Sequence, residues 1–184
     1  MPVRRPSLLV LLLTAFAIGV SACGGTGRAT PGSAGEAGAA VVRVVDGDTV
    51  VVRVSGRDES VRLIGIDTPE SGKPNTPVQC FAREATARTK ALLPEGTPVR
   101  LERDAELRDR YERLLAYVYR ASDGLFVNLA LAREGFAVPY TFPPNVAHSD
   151  AFVAAASEAR QSKRGVWNRC RDPGAPLDAA NDRR

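Results

Sequence analysis

Two valine-rich runs enclose the turn DGDT, and this arrangement constrains the fold more than any other feature of the sequence. Residues 41–45 and 49–54 are rich in β-branched side chains, which favour strands because they pack well on a pleated surface. Gly47 tolerates a positive φ and Asp46 can hydrogen-bond its own backbone, as a tight hairpin requires. The segment is therefore predicted to be a β-hairpin. The turn does not explain Asp48, a second carboxylate at the edge of a buried strand.

The rest of the chain combines short strands with helices. A third strand should end before the DTP of residues 67–69, because proline cannot continue a ladder. Asn128 is predicted to cap a short helix that Gly135 ends, and Ser149 to cap the last helix. The predicted strands span residues 61–66, 99–102 and 114–119, and the predicted helices span residues 79–93, 128–133 and a segment from residue 149 onward. This order indicates an α+β fold with a small β-barrel.

The N-terminus has the pattern of an export signal. A pair of arginines precedes SLLVLLLTAFAIGV, an apolar run that is too short to span a bilayer comfortably. The following VSAC resembles a bacterial lipobox, in which the cysteine receives a diacylglyceryl group; ordinary signal cleavage is the alternative. We expect a signal peptide at residues 1–22 and lipidation of Cys23. The protein would then be exported and anchored to the extracytoplasmic face of the cell membrane, or secreted if it is not lipidated.

Composition sets the domain boundaries. Residues 24–40 consist almost entirely of small and polar residues, which cannot bury enough surface to offset the entropy of ordering them. We expect Cys23 and this flexible linker to span residues 23–40, a single folded domain to span residues 41–171, and a flexible tail to span residues 172–184.

The number of cysteines, three, bears on whether Cys23 is lipidated. If Cys23 carries a lipid, Cys80 and Cys170 remain in an exported domain, where a disulfide between them is the natural pairing. If Cys23 is not lipidated, one thiol is left over. The disulfide and the lipid anchor therefore support each other.

Charge and histidine content exclude some classes of function. Removal of the signal peptide leaves 23 Lys and Arg against 21 Asp and Glu, so the mature chain is not polybasic and charge does not by itself predict nucleic-acid binding. Because the chain has one histidine, His148, it cannot supply a catalytic histidine pair or a histidine-ligated metal site by itself.

Charged residues recur at the ends of the predicted strands. Taken singly, DGDT is a hairpin turn, DTPE is a strand stop and the last arginine of DRYER is a solvated charge. In this order they suggest a site, since hard divalent cations prefer carboxylate oxygens and arginine forks suit phosphate oxygens. The residues concerned are Asp48, Arg62, Asp67, Glu70, Arg110, Tyr111 and Arg113.

The ordered motifs VVDGDTV, RLIGIDTPE, CFAREA, DRYERLLAYVY, FVNLALAREGFA and RGVW resemble those of the staphylococcal nuclease (thermonuclease) family. The resemblance covers about residues 41–167. It implies an OB-type, five-stranded Greek-key barrel with about three helices. It also implies a Ca²⁺-dependent nuclease that hydrolyses phosphodiester bonds of DNA and RNA.

Carried over position by position, the resemblance implies roles for individual residues. Asp48 and Asp67 match the carboxylates that bind Ca²⁺, and Thr68 matches the residue that offers its backbone carbonyl. Glu70 matches the glutamate that orients the attacking water. The remaining matches are Arg62 and Arg113 for the scissile phosphate, Arg110 and Tyr111 for the neighbouring phosphate, and Tyr140 and Phe142 for the aromatic positions of the nucleotide pocket.

The sequence departs from the family pattern at three positions. Phe142 stands where a tyrosine is usual, so its ring can stack but cannot donate a hydrogen bond. Glu112 stands where glycine is usual, and it is strained if the position requires a positive φ. Gly65 stands where an aliphatic residue is common, and no functional meaning is attached to it.

The leading hypothesis is a monomeric, lipid-anchored, Ca²⁺-dependent nuclease at the cell surface. Single-stranded DNA and RNA should be favoured, because their bases are free to stack on the aromatic residues. The alternative is a non-catalytic OB-fold module of the envelope that binds nucleic acid or protein; a third reading is an envelope lipoprotein with a structural role. Glu112 keeps the non-catalytic module open.

Overall fold

The computed structural model describes residues 38–72, 75, 77–176 and 181. The predicted signal peptide, Cys23 and the predicted linker as far as residue 37 lie outside the described residues. So do residues 177–180 and 182–184 of the predicted tail. Within the described ranges, no helix has the length and apolar character needed to cross a bilayer.

Five strands close into a barrel, and helices pack outside it. The elements in chain order are β1 (Ala39–Val44), β2 (Thr49–Val54), β3 (Arg57–Leu63), β4 (Gly65–Asp67), α1 (Ala82–Leu92), β5 (Pro98–Glu102), β6 (Leu114–Arg120), α2 (Val127–Glu134), β7 (Val138–Tyr140), α3 (Ser149–Gln161) and α4 (Val166–Arg169). The barrel order is β1-β2-β3-β6-β5, and β5 pairs with β1 to close it; β4 and β7 form a separate two-stranded sheet. The predicted α+β fold with an OB-type five-stranded barrel is confirmed, with the short α4 added to the three predicted helices.

The predicted hairpin is β1 and β2. Val44 faces Val50 across the antiparallel pair, and the amide of Val45 donates to the carbonyl of Thr49 at 2.9 Å. Val50 and Val52 are fully buried in the core. The strand β1 begins at Ala39, two residues before the expected start of the domain.

The predicted N-caps of the helices are wrong, whereas Gly135 ends α2 in a left-handed conformation as predicted. Asn128 lies inside α2 and is fully buried, and its amide donates to the carbonyls of Ile64 at 2.9 Å and Ala116 at 3.2 Å. Its side-chain oxygen accepts from the amide of Val118 at 2.9 Å. Asn128 therefore ties α2 to the barrel instead of capping the helix. Likewise Ser149 is the first residue of α3, and the capping position before it makes no side-chain hydrogen bond.

Gly65 has a structural role that sequence reasoning did not find. It lies between β3 and the rest of β4 with φ +81°, where side chains other than hydrogen are disfavoured. A Cβ at this position would come within 2.1 Å of Cε2 of Phe152, a fully buried residue of α3. Glycine lets the strand bend away from the barrel while α3 packs directly against its backbone.

The predicted disulfide between Cys80 and Cys170 is confirmed. Both residues are buried, and their Cα atoms are 6.0 Å apart across a sequence separation of 90. The bridge joins Cys80, which lies two residues before α1, to Cys170 at the end of α4. Phe81, between Cys80 and α1, has a φ of 70°. Asn181, which belongs to the expected tail, is buried, and its side-chain oxygen accepts a hydrogen bond from the amide of Asp172.

Candidate functional site

Two adjoining cavities lie beside the barrel, and Arg62 and Arg113 line both of them. The smaller cavity, of about 120 Å³, is lined by Asp46, Asp48, Thr49, Arg62, Asp67, Thr68, Pro69, Glu70 and Arg113. The larger cavity, of about 490 Å³, is lined by Arg62, Leu63, Ile64, Gly65, Ile66, Glu106, Asp109, Arg110, Tyr111, Arg113, Leu115, Tyr140, Phe142 and Asn145. The structure thus brings together all ten residues that the sequence assigned to metal, catalysis and substrate.

The turn before β2 directs Asp48 into the smaller cavity. A side-chain oxygen of Asp46 accepts from the amide of Asp48 at 3.1 Å, which makes Asp46 the residue that shapes the turn. Asp48 is buried, and its Oδ2 accepts from the amide of Thr68 at 2.8 Å and from its hydroxyl at 2.9 Å. Gly47 has no room for a side chain, because a Cβ there would lie 2.5 Å from Oγ1 of Thr68. Asp48 is therefore held in a fixed orientation.

Arg62 stands between the two proposed metal ligands. Its Nη1 pairs with Oδ1 of Asp48, and its Nη2 donates to Oδ1 of Asp67 at 2.8 Å and to the carbonyl of Ile66 at 3.2 Å. Burial lowers the pKa of the Arg62 guanidinium, and the nearby Asp67 opposes that shift only in part. Burial also raises the pKa of Asp46, against the hydrogen bond from Thr49 and the charge of Arg62. The cavity thus concentrates charge in a poorly solvated place.

The donor set of this cavity fits a hard divalent cation. Asp48 and Asp67 supply carboxylate oxygens, which Ca²⁺ prefers, and Thr68, whose backbone carbonyl the resemblance assigns to the metal, also lines the cavity. In the described part of the chain, no three His, Cys, Asp or Glu side chains come close enough to hold a metal ion by themselves. Because Arg62 pairs with both carboxylates, a cation bound by both would compete with its guanidinium.

Glu70 reaches the same cavity from the loop after β4. It is half-buried, and its Oε1 lies 3.5 Å from the amide of Gly72, at the outer limit of a hydrogen bond. Its backbone is held more closely, because its amide donates to Oε1 of Gln79 at 2.6 Å and its carbonyl accepts from the amide of Gln79 at 2.9 Å.

Arg113 is aimed by Asp109, which sequence reasoning missed. Oδ2 of Asp109 accepts from Nε of Arg113 at 2.8 Å and pairs with its Nη2 at 2.7 Å, while Oδ1 accepts from the amide of Arg113 at 3.0 Å. Burial would raise the pKa of Asp109, but these hydrogen bonds and the one from the amide of Tyr111 hold it below its usual value. The Asp-x-x-x-Arg spacing in DRYER was the available signal.

The aromatic and basic residues of the larger cavity form an open surface. Tyr140 and Phe142 stack with ring centroids 6.3 Å apart and planes 12° apart, and both rings are exposed. Arg110 donates to the hydroxyl of Tyr111 at 2.7 Å and lies 4.8 Å above its ring. The cavity therefore offers flat apolar faces beside cationic groups.

Glu112 adopts the left-handed conformation that glycine would favour, with φ 63°. Its carbonyl accepts from Nη1 of Arg108 at 2.6 Å, and the same nitrogen pairs with Glu59 at 3.0 Å. Glu112 is not among the described residues that line the two cavities. Backbone strain is therefore a more direct effect of this residue than repulsion of a ligand.

Replacing Glu112 with glycine should stabilise the protein. Glycine adopts this φ without the Cβ clash, so Glu112→Gly should raise the free energy of unfolding by about 0.5–1 kcal/mol. Glu112→Gln keeps the Cβ and should change it by less than about 0.5 kcal/mol. Urea unfolding of both variants at low and high salt measures the difference. An equal gain in both variants that shrinks with salt would assign the effect to charge and contradict the strain.

Comparison with known proteins places this arrangement in context. The model of the family described as "Staphylococcal nuclease homologue" matches residues 60–169. The chain is 46% identical over 129 residues to a thermonuclease of Staphylococcus intermedius, a match that covers 70% of this chain and 75% of that protein. It is 41% identical over 128 residues to a thermonuclease of Staphylococcus hyicus, covering 70% and 74%. It is also 41% identical over 129 residues to the endonuclease YncB of Bacillus subtilis, covering 69% and 60%.

Proposed function

Since this chain belongs to the staphylococcal nuclease family and is a nuclease, we propose that it hydrolyses phosphodiester bonds of DNA and RNA in a Ca²⁺-dependent reaction. One observation carries the proposal. Three aspartates, one glutamate, Thr68 and two arginines line a single cavity of about 120 Å³. The proposed ligands are all oxygen, the chemistry that Ca²⁺ selects.

The residues divide the work by their position. Arg62 and Arg113 border both cavities, so a phosphate between the cavities would meet both guanidinium groups. They neutralise the negative charge that grows in the transition state. Glu70, which also lines the smaller cavity, accepts a proton from the attacking water. When bound, Ca²⁺ would supply Lewis-acid polarisation of a phosphoryl oxygen.

The larger cavity supports a preference for single strands. Tyr140 and Phe142 offer stacking faces with both rings exposed, while Arg110 lies beside them. An unpaired base can leave its neighbours and stack there, whereas a base inside a duplex must first be unpaired. We therefore propose single-stranded DNA and RNA as the favoured substrates.

Calcium should be required for turnover. Single-stranded DNA labelled at one end should be cleaved in Ca²⁺, left intact in EGTA, and cleaved again when excess Ca²⁺ is restored. Full activity in EGTA after removal of trace metals would sink the calcium-dependent mechanism. Binding of the DNA without cleavage under all conditions would favour the alternative, a non-catalytic OB-fold module of the envelope.

We also propose that the enzyme is a monomer, and light scattering of the same sample tests this.

We also propose that Cys23, which lies outside the described residues, carries a lipid that anchors the enzyme at the cell surface. The VSAC motif supports this. Cys23→Ser should move the protein from the membrane fraction to the medium, with no change in nuclease activity, since a linker separates Cys23 from the barrel. An unchanged membrane fraction would reject lipidation.

A further inference from the structure

Within the described residues, the backbone of Glu70 is hydrogen-bonded to a single partner, Gln79. Oε1 of Gln79 accepts from the amide of Glu70 at 2.6 Å, and the amide of Gln79 donates to the carbonyl of Glu70 at 2.9 Å. These two bonds tie Glu70 to Gln79, nine positions later in the chain. The carboxylate itself is held only loosely, at 3.5 Å from the amide of Gly72. Its place in the cavity therefore depends on where the backbone of Glu70 is fixed.

Gln79 and its neighbour Cys80 are in turn held by residues near the C-terminus. It forms an isolated antiparallel bridge with Pro176, and the amide of its neighbour Cys80 donates to the carbonyl of Ala175 at 3.1 Å. Cys80 is also bonded covalently to Cys170. These contacts come from residues beyond 169, where the match to the family model ends. We call residues 170–176 and Asn181 the C-terminal clasp.

Asn181 joins the segments of the clasp by hydrogen bonds. Its side-chain oxygen accepts from the amide of Asp172 at 2.7 Å. Its side-chain nitrogen donates to the carbonyls of Asp172 at 3.0 Å, Ala175 at 3.2 Å and Pro176 at 3.1 Å. The residue is buried, where such bonds are strongest. The clasp therefore presents a fixed edge to Gln79.

We propose that Gln79, supported by the C-terminal clasp, is a positioning residue for Glu70 in the nuclease reaction. The inference rests on the proposed role of Glu70. A general base works only within hydrogen-bond reach of its proton, and a displacement of 1 Å can lower the rate by about 10²-fold. Gln79 does not line either cavity in the described structure, so it acts through Glu70 and not on the substrate.

The test compares three variants of the full-length enzyme. Gln79→Met keeps the length of the side chain but removes the acceptor, and should lower kcat by about 10–100-fold with KM within about twofold. Gln79→Glu restores an oxygen acceptor and should recover most of kcat. The matched control is Gln161→Met, because Gln161 is an exposed residue of α3 that donates to Ser157 within its own helix. It should leave kcat unchanged.

A second readout needs no activity. The Glu70 amide should be protected from hydrogen exchange in the wild type and Gln79→Glu, and exposed in Gln79→Met. Unchanged kcat in Gln79→Met would overturn the proposal, and so would equal losses in Gln79→Met and Gln79→Glu that follow a fall in Tm. If the wild type does not cleave DNA in Ca²⁺, the proposed function fails. The exchange of the Glu70 amide would then still decide whether Gln79 holds this segment: retained protection in Gln79→Met overturns that, and lost protection supports it.

Discussion

Replacing Arg113 with alanine should lower kcat on single-stranded DNA by roughly 10²–10³-fold, the loss typical of one preorganised contact to transition-state charge. Arg113 lines both cavities, and Asp109 holds its guanidinium in one orientation through Nε and Nη2. Such a contact is already in place when charge develops on the phosphate. Initial-rate kinetics in saturating Ca²⁺ measure the effect.

A conservative variant separates the orientation of the Arg113 guanidinium from its charge, and a second variant serves as the control. Arg113→Lys keeps the charge but loses the planar fork, so its kcat should fall between those of the wild type and Arg113→Ala. The control is Arg133→Ala, because Arg133 lies on α2 and pairs at 3.8 Å with the exposed Glu158. Wild-type kcat in Arg113→Ala would remove Arg113 from the mechanism.

The effect on stability should be small and should depend on pH in a defined direction. The folded state lowers the pKa of Asp109, so its pair with Arg113 stabilises the protein above the ordinary carboxylate pKa and is lost as the pH falls through the lowered value. Because Arg113 is partly exposed, the pair contributes at most about 1 kcal/mol at neutral pH. A large loss of activity with a small loss of stability is therefore the expected signature.

Removing the disulfide should destabilise the domain by about 2–5 kcal/mol, as is usual when a native bridge is removed from a small domain. The bridge joins residues separated by 90 positions, so it restricts a large part of the unfolded chain. Urea unfolding of the Cys80→Ala/Cys170→Ala double variant measures the loss. Equal midpoints in the double variant and the wild type would contradict this expectation, and two free thiols by intact mass in exported protein would refute the bridge itself.

The same variant links the bridge to the cavity. Cys80 follows Gln79 directly, so loss of the bridge should loosen the residue that holds Glu70. If so, adding Gln79→Met to the double variant should lower kcat by less than it does in the wild type, since both changes act on one contact. Fully additive losses would mean that the bridge stabilises the fold without acting through Gln79.

The sequence by itself determined the features that depend on short-range chemistry. The turn of residues 46–49 and the β1–β2 hairpin follow from local conformational preferences. The expectation of a positive φ at Glu112 came from the resemblance, since glycine is usual in the family at that position. The resemblance in motifs then supplied the barrel and the residues of the two cavities. Motifs at strand ends are readable because each motif is local and their order is characteristic.

Only the tertiary structure decided the contacts that join distant segments. Gly65 is needed because Phe152 of α3 packs where its side chain would be. Asn128 is a residue type that favours the N-cap of a helix, but its side-chain amide donates a hydrogen bond to the carbonyl of Ile64, 64 positions away. The sequence predicts that a helix begins at Gln79, yet Gln79 precedes α1 and pairs with Glu70 and with Pro176. Local propensity carries no information on such partners. Whether a side chain caps a helix or bonds to a distant segment depends on which residues the folded chain places beside it.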